Sequence, residues 1–265
     1  MKKIVFCALT AATMMAFTAC SGNSKSKDGS LPGKFSVSDT TQIQFSQGNL
    51  QYQPSTQTWR FAENQFDTIG KLNSNIADDY EGWIDLFGWG TGATPTNSSS
   101  NNQHYPDFTD WSNNTIINSG ENNQWRTLTV QEWKYLFFKR EDAGSLHGVG
   151  QVNGHDGIII LPDEWIQPEG TMFYLGYSKR GIASQVNCYT LEEWQKMETA
   201  GAVFLPQAGD RRGKKLESEY AHYWSSSVYN YAQAYYVFFS PLYVQADCYG
   251  GRSYGRSVRL VQNAK

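Results

Sequence analysis

The sequence is poor in charge and in cysteine, and it lacks the residue spacings of common metal sites. Charged residues make up 18% of the 265-residue chain, the net charge is −3, and there is no basic block. This composition argues against nucleic acid as a partner, because proteins that bind nucleic acids carry clusters of Lys and Arg that contact the phosphates. The 4 cysteines and 4 histidines show neither a CxxC nor an HxxxH spacing, so we expect no metal and no other cofactor.

A long apolar run lies at the N-terminus. Two lysines precede residues 4–17, an apolar stretch that is shorter than a typical transmembrane helix. Phe17-Thr18-Ala19-Cys20 follows and resembles the lipobox of bacterial lipoproteins, although Phe17 stands where leucine is usual. The resemblance implies that residues 1–19 are a signal peptide and that lipidated Cys20 holds an extracytoplasmic domain on a membrane. The alternative is a plain signal peptide cut at an A-x-A-like site.

The residues after Cys20 predict where the protein is held and where folding begins. Ser21 resembles the outer-membrane signal of lipoproteins, so we expect an outer membrane lipoprotein on the periplasmic face or the cell surface. Residues 20–33 are polar and rich in Gly and Ser, which is typical of a flexible tether. One folded domain is then expected over residues 34–265.

Residues 34–124 are expected to be the β-rich N-terminal part of this domain. From Phe35 to Phe61, apolar residues alternate with polar ones around short turns, which predicts antiparallel hairpins. Residues 74–123 lack clear periodicity, yet four aromatic residues are spaced through them: Trp83, Phe87, Trp89 and Trp111. Because disordered segments are poor in such rings, we expect a long ordered loop held by buried aromatic side chains.

Residues 125–265 are expected to be the core part, with two helices. Thr129-Val-Gln-Glu132 and Thr190-Leu-Glu-Glu193 are capping boxes, and each is followed by apolar residues at helical spacing. Further apolar runs predict strands over residues 157–162, 202–206, 234–239, 242–244 and 257–261.

Few residues indicate catalysis, ion binding or cross-linking. Ser225, His222 and Asp247 can be combined into a triad, but no nucleophile elbow accompanies them. Four loop acids lack the spacing of a calcium loop and are expected to be solvated: Asp78, Asp79, Glu81 and Asp85. Cys188 and Cys248 could form a disulfide in an oxidising compartment, but sequence alone does not show that they come within reach.

A set of motifs follows one order in the second part of the chain. They are Leu128-Thr-Val-Gln-Glu-Trp133, Leu161-Pro-Asp-Glu-Trp165, Phe204-Leu-Pro-Gln-Ala-Gly-Asp-Arg-Arg-Gly213, Tyr223-Trp-Ser-Ser-Ser227 and Tyr254-Gly-Arg-Ser-Val-Arg-Leu-Val261. This order resembles secreted paralogous domains of Bacteroidetes and Fibrobacter, which belong to the C-type-lectin-like superfamily with the formylglycine-generating enzymes. The likeness covers residues 125–265 well and residues 34–124 loosely.

The resemblance implies an α+β fold of the C-type-lectin-like kind, with two helices beside small twisted antiparallel sheets. Residues 257–261 would form a central strand, and Arg259 would reach a buried or semi-buried acceptor. Four tryptophans would lie in the core: Trp133, Trp165, Trp194 and Trp224. The related enzymes bind copper through paired cysteines near the C-terminus, where this chain has only Cys248. We therefore expect no enzymatic activity.

The last forty residues carry the candidate ligand face. Tyrosine supplies stiff contact area with a polar tip, and Asn and Ser adapt their hydrogen bonds, as in antibody paratopes. The candidate ligand-binding residues are Tyr229, Asn230, Tyr231, Gln233, Tyr235, Ser240, Leu242, Tyr243, Gln245, Asp247, Tyr249, Ser253, Tyr254 and Arg256. The alternative is that these tyrosines only cover a sheet edge.

The same segment resembles the variable regions of proteins diversified by retroelements, in which template adenines are randomised. Asn codons then become codons for Tyr, Ser, Asp or Cys, so Cys248 would be a product of mutation. The resemblance implies a fixed framework at residues 224–227, Ala234, Phe239, Val244, Gly255 and residues 257–261. Undiversified paralogues share this framework, so a fixed specificity remains the alternative.

Together these features predict a membrane-anchored, extracytoplasmic ligand-binding module without catalysis, with an unknown protein or glycan as its partner. The alternatives are a formylglycine-generating-type enzyme and a structural surface or fimbria-associated component.

Overall fold

The computed structural model describes residues 26–120, 124–175, 187–218, 220–241 and 243–265. The predicted signal peptide, the lipidation site Cys20 and the candidate ligand residue Leu242 lie outside the described residues. Among the helices described, none is long and apolar enough to cross a membrane.

The described chain combines short strands, two α-helices and long connections. The helices are α1 (Val130–Phe138) and α2 (Leu191–Thr199). The strands are β1 (Phe35–Ser36), β2 (Gln42–Phe45), β3 (Leu50–Gln53), β4 (Thr58–Phe61), β5 (His147–Val152), β6 (His155–Ile160), β7 (Cys188–Tyr189), β8 (Val203–Pro206), β9 (Asp210–Arg212), β10 (Lys215–Ser218), β11 (Ala221–Val228), β12 (Gln233–Ser240), β13 (Tyr243–Gly251), β14 (Tyr254–Gly255) and β15 (Val261–Asn263).

The strands form small sheets with the orders β1-β2-β15, β3-β4, β7-β5-β6-β8, β10-β9-β14 and β11-β12-β13. Their pairings are antiparallel except that of β5 with β7. The fold is therefore α+β, as predicted. Of the strand predicted at residues 242–244, Tyr243 and Val244 begin the longer β13, whose polar and glycine-rich second half is ordered by pairing with β12.

Both helices begin where the capping boxes predict. The Thr129 hydroxyl accepts a hydrogen bond from the Glu132 amide, and the Glu132 carboxylate accepts one from the Thr129 amide. Thr190 and Glu193 repeat this arrangement at the start of α2. Such reciprocal bonds satisfy amide groups that the first helical turn leaves without partners.

Three clusters of buried side chains form the interior. The first joins α1 to the C-terminal sheet through residues such as Trp133 and Phe239. The second joins β3, β4 and the long loop to the end of the chain, and the third lies under α2. Phe87, Trp89 and Trp111 are buried, which confirms that these rings hold the described part of the long loop. The fourth predicted ring, Trp83, is only half-buried and lies under the Arg60 guanidinium at 3.9 Å.

The four tryptophans that are expected in the core differ in burial. Trp133, Trp194 and Trp224 are buried, as predicted. Trp165 is only half-buried and packs against the edge of the third cluster. It lies in the connection after β6 rather than on a helix face, which explains its partial exposure.

Residues 257–261 lie in the interior, as predicted, but they do not form one strand. Regular pairing begins only at Val261, and residues 257–260 are buried and lack a continuous partner. The Trp224 amide donates to the Ser257 carbonyl at 3.0 Å, and the Leu50 amide donates to the Val258 carbonyl at 2.9 Å. Because neighbouring residues bond to different elements, no ladder forms.

Arg259 confirms the expectation of a buried acceptor. It is 1% exposed, and it donates to Gln65 Oε1 at 2.8 Å and to Asn49 Oδ1 at 3.4 Å.

The predicted tether, residues 20–33, is too long at its C-terminal end. Leu31 is fully buried in the first cluster, and its amide donates to the Phe45 carbonyl at 2.8 Å. Ser30 forms a bridge with Ser46. A single buried leucine among Gly, Ser and Pro gives no periodic signal, so composition alone could not reveal this docking.

Candidate ligand-binding surface

The sheet β11-β12-β13 carries most of the candidate ligand residues, but it divides them between two faces. Successive side chains of a strand point to opposite sides, so Tyr235 and Tyr236 of β12 face different ways. Tyr235 lies opposite Tyr249, and Tyr236 lies opposite Cys248 and Trp224. We call the side that packs on α1 the inner face and the other side the outer face.

The inner face is largely core. Val237, Phe239 and Val244 lie in the first cluster together with Trp133 and Phe137 of α1. Tyr235, nearer the hairpin end of this face, is not part of the first cluster.

Three tyrosines form a cluster at the hairpin end of the inner face. The rings of Tyr229 and Tyr249 stack with centroids 3.9 Å apart, and Tyr235 meets the Tyr229 ring edge-on at 5.3 Å. The Tyr229 hydroxyl is hydrogen-bonded to the Tyr249 hydroxyl, and this bond raises the pKa of Tyr229. The cluster is therefore a set of mutually fixed rings rather than separate flexible side chains.

The turn between β11 and β12 is closed by its own side chains. Asn230 Oδ1 accepts from the Ala232 amide at 2.9 Å, and Asn230 Nδ2 donates to Gln233 Oε1 at 2.9 Å. Arg252 donates to the Asn230 carbonyl at 2.6 Å and to the Pro106 carbonyl at 2.7 Å, which fixes the turn to the long loop. Asn230 and Gln233 thus shape the turn, whose tip presents Tyr231 with 82% exposure.

The outer face carries a row of aromatic side chains that solvent reaches. The Phe238 ring lies 5.7 Å from the Tyr220 ring and 5.5 Å from the Tyr243 ring, measured between centroids. Tyr220 and Tyr243 are about half exposed, and exposed Gln245 lies opposite Phe238 in the strand register. We call Tyr220, Phe238, Tyr243 and Gln245 the outer patch.

Buried ionisable groups lie on the outer face beside this patch. The Arg256 guanidinium carbon is 3.5 Å from the centroid of the Tyr236 ring and 4.4 Å from that of Trp224. Asp210 Oδ2 lies 4.0 Å from Arg256 Nε and 4.0 Å from His222 Nε2, whose ring contacts Phe238.

Burial sets the charge of these groups. It lowers the pKa of His222 to about 3, so this imidazole is neutral at pH 7. It also lowers the pKa of Arg256 to about 10, which leaves the guanidinium charged. Desolvation raises the pKa of Asp210. The charged Arg256 guanidinium therefore lies against the Tyr236 ring, away from solvent. The side chains of the outer patch are uncharged.

The candidate ligand residues differ in solvent exposure. The exposed ones are Tyr229, Tyr231, Tyr243, Gln245 and Tyr249, and the half-buried ones are Asn230, Gln233, Tyr235, Asp247 and Tyr254. Ser240, Ser253 and Arg256 are buried, because they lie where strands meet neighbouring segments of the chain. Their burial corrects the prediction that these three side chains contact a ligand.

Sequence reasoning missed Tyr220 and Phe238 of the outer patch. Phe238 stands two residues after Tyr236, and this spacing places both on one face of a strand. That signal was visible in the sequence. The position of Tyr220 beside Phe238 depends on the pairing of β11 with β12, which the sequence does not show.

The residues of the hypothetical triad have other partners. Ser225 Oγ donates to the Tyr235 carbonyl at 2.9 Å, and Asp247 forms an ion pair with Lys134 at 3.0 Å. His222 faces Asp210 instead. The sheet therefore does not assemble these side chains into a nucleophilic site.

Asp85 corrects the prediction of a solvated loop acid. It is fully buried, and its carboxylate accepts hydrogen bonds from Asn73 Nδ2 at 2.7 Å and from the Ile69 amide at 2.9 Å. Burial raises its pKa to about 6. Its role is to hold the 3₁₀ helix Gly70–Asn75 against the long loop.

Cys188 and Cys248 are both thiols and belong to different sheets. Desolvation raises the pKa of each thiol, which favours the protonated form at neutral pH. Within the described ranges, no group of three or more His, Cys, Asp or Glu side chains is placed to hold a metal ion.

Comparison of the chain with protein-family models, with curated proteins and with solved structures gave no match.

Proposed function

We propose that this protein is an extracytoplasmic ligand-binding module with a C-type-lectin-like fold and no catalytic activity. The observation that carries the proposal is the outer patch, a row of contacting rings on one face of a sheet whose other face is largely core. Aromatic side chains that solvent reaches are enriched at interaction sites. Its ligand is a protein or a glycan outside the cytoplasm.

The outer patch suits recognition because its rings are held in place before a ligand arrives. Phe238 contacts both tyrosines, and it also contacts the buried ring of His222 at 5.2 Å. A preorganised surface loses less conformational entropy on binding. Tyrosine hydroxyls and the Gln245 amide add hydrogen-bonding groups at the rim.

The proposal includes diversification of the C-terminal segment by a retroelement. Most of the framework positions that this predicts are buried, including Trp224, Ala234, Phe239, Gly255 and residues 257–261, whereas Ser226 and Ser227 are half-buried. Tyr229, Tyr231 and Tyr243, which it predicts to vary, are exposed, and Cys248 is half-buried. Changes at exposed sites usually affect stability little, so this separation permits variation without unfolding.

A formylglycine-generating-type activity is less well supported by the structure. Cys248 lies on β13, whereas Cys188 lies on β7 in another sheet. Desolvation raises the pKa of the Cys248 thiol, which opposes the thiolate form that metal binding requires.

The membrane anchor at Cys20 is a separate part of the proposal and has its own test. Metabolic labelling with a fatty-acid probe is expected to mark the wild-type protein and not the Cys20→Ala variant. Labelling of the variant would contradict lipidation at this residue and the placement on the outer membrane that follows from it.

Photo-crosslinking in the bacterium that encodes the protein tests the ligand surface. Tyr243 is replaced by benzoylphenylalanine, and the control carries the same replacement at Glu141, an exposed residue after α1. Irradiation is expected to give a discrete adduct from position 243 and none from position 141. No adduct, or the same adduct from both positions, would contradict the proposed surface.

A further inference from the structure

The point at which the chain enters the folded domain is fixed by hydrogen bonds. The Asp28 carboxylate accepts from Gln262 Nε2 at 3.1 Å and from Lys265 Nζ at 2.8 Å. The Gly29 carbonyl accepts from the Gln47 amide at 2.8 Å. The first described residues are therefore attached to the domain and are not part of a free tether.

This entry point lies close to the proposed lipidation site along the chain. Cys20 precedes Ser26, the first described residue, by six positions. Because a chain spans at most ~3.3–3.6 Å per residue, six residues reach about 20 Å. The acyl chains of a lipidated Cys20 enter the bilayer, so this residue lies at the bilayer surface. The entry point is then held within about 20 Å of that surface.

An exposed isoleucine lies beside the entry point. Ile117 is 66% exposed, and it directly precedes the turn formed by residues 118–120. A Cβ on Gly120 would lie 2.8 Å from the Asp28 Cα, so the main chains of the turn and of the entry point are in contact. The Ile117 amide donates to the Trp59 carbonyl at 3.0 Å. Ile117 is therefore an apolar side chain that a fixed main chain holds in solvent.

Exposed lysines lie at the same corner of the domain. Lys34 Nζ donates to the Lys265 main-chain oxygen at 2.6 Å, and exposed Lys27 adjoins Asp28 in the sequence. The whole chain has a net charge of −3, so this corner is more positive than the chain as a whole. Lysines beside an exposed apolar side chain suit an anionic bilayer surface, because lysine attracts lipid phosphates and the apolar group enters the headgroup layer.

We propose that the entry corner, which consists of Lys27, Lys34, Ile117 and Lys265, lies on the surface of a phospholipid bilayer with anionic headgroups. Ile117 enters the headgroup layer, and the three lysines contact lipid phosphates. This inference rests on the proposed lipidation of Cys20 and goes beyond it, because lipidation alone leaves the orientation of the domain open.

Photo-crosslinking of the full-length, acylated lipoprotein in vesicles of phosphatidylethanolamine and phosphatidylglycerol tests this contact. Ile117 is replaced by benzoylphenylalanine, and the control carries the same replacement at Leu72, which is 55% exposed on the 3₁₀ helix Gly70–Asn75. Irradiation is expected to give an adduct of phospholipid mass, several-fold more abundant from position 117 than from position 72. The proposal is overturned by equal adducts from both positions, by no phospholipid adduct from position 117, or by an adduct with a second copy of the chain in its place.

Charge reversal tests the lysines. In the position-117 protein, Lys27→Glu/Lys34→Glu is expected to lower the yield of phospholipid adduct several-fold in vesicles that contain phosphatidylglycerol, and less in phosphatidylcholine vesicles. Lys214→Glu/Lys215→Glu makes the same change of net charge at two other exposed lysines and should leave the yield unchanged. Equal losses from the two double variants would overturn the proposal.

Lipidation is measured separately, by fatty-acid labelling of the wild type and of Cys20→Ala. Absence of the label from the wild type would contradict the anchor and, with it, this orientation. A labelled protein that gives no phospholipid adduct from position 117 would contradict the orientation alone. Crosslinking from position 243 is independent of both results.

Discussion

Side chains of the C-terminal segment are of two kinds. Some are buried and stabilise the fold, and others are exposed to solvent. Trp224 is 1% exposed, and its indole Nε1 donates to the Phe87 carbonyl at 2.7 Å. Tyr231 and Tyr243, in contrast, direct much of their surface to solvent. The difference follows from the pleat and from the turn, so residue type alone could not have shown it.

We expect Trp224→Ala to lower the free energy of unfolding by ~3–5 kcal/mol, the usual loss when a buried aromatic side chain is removed. Tyr231→Ala and Tyr243→Ala should each change it by only about 0.5 kcal/mol. Urea unfolding of the three variants measures these values. Equal losses at all three positions would mean that the tyrosines belong to the core.

His147 makes stability depend on pH. Burial lowers its pKa from 6.5 in the unfolded chain to about 4. Between these values the unfolded chain binds a proton that the folded chain does not, so the free energy of unfolding decreases as pH falls. His222, whose pKa burial lowers to about 3, contributes in the same sense. His147→Gln should therefore reduce the slope of this part of the stability profile, and an unchanged slope would contradict the assignment.

Asp85 acts in the opposite sense to His147. Its pKa is raised from 3.8 to about 6, so the folded chain binds the proton first and loses stability as pH rises through this window.

Among the elements, helices were predictable from local signals and sheets were not. Each capping box lies within four residues, and both helices begin at the predicted position. Which face of β12 is covered depends on α1, about one hundred residues earlier in the chain. Period-two alternation therefore indicated a strand, but it could not show which side would be covered.

The capping box of α1 gives a prediction at this scale. Thr129→Ala removes the acceptor for the Glu132 amide, and we expect it to cost ~1 kcal/mol of stability. Thr199→Ala, at the exposed end of α2, is the control and should cost less. Thermal unfolding followed by circular dichroism compares them, and an equal shift for both variants would argue against a role for the box.

The whole molecule combines a buried framework with an open surface near its C-terminus. If that surface is diversified, an imperfect second copy of the codons for residues 224–261 should lie near the gene, beside a reverse transcriptase. Mismatches should fall at template adenines, in codons such as those for Tyr229, Tyr243 and Cys248. Sequencing of the neighbouring DNA checks this. A neighbourhood with neither feature would remove local diversification and leave a module of fixed specificity.

Competition for the crosslinked partner is the most direct test of the outer patch as the ligand surface. The benzoylphenylalanine protein at position 243 is coexpressed with an excess of an untagged competitor, and the yield of adduct is measured. Wild type and Tyr231→Ala should both reduce the yield, because each retains the outer patch. The double variant Tyr243→Ala/Gln245→Ala should leave it unchanged. Equal reduction by all three competitors would contradict the account.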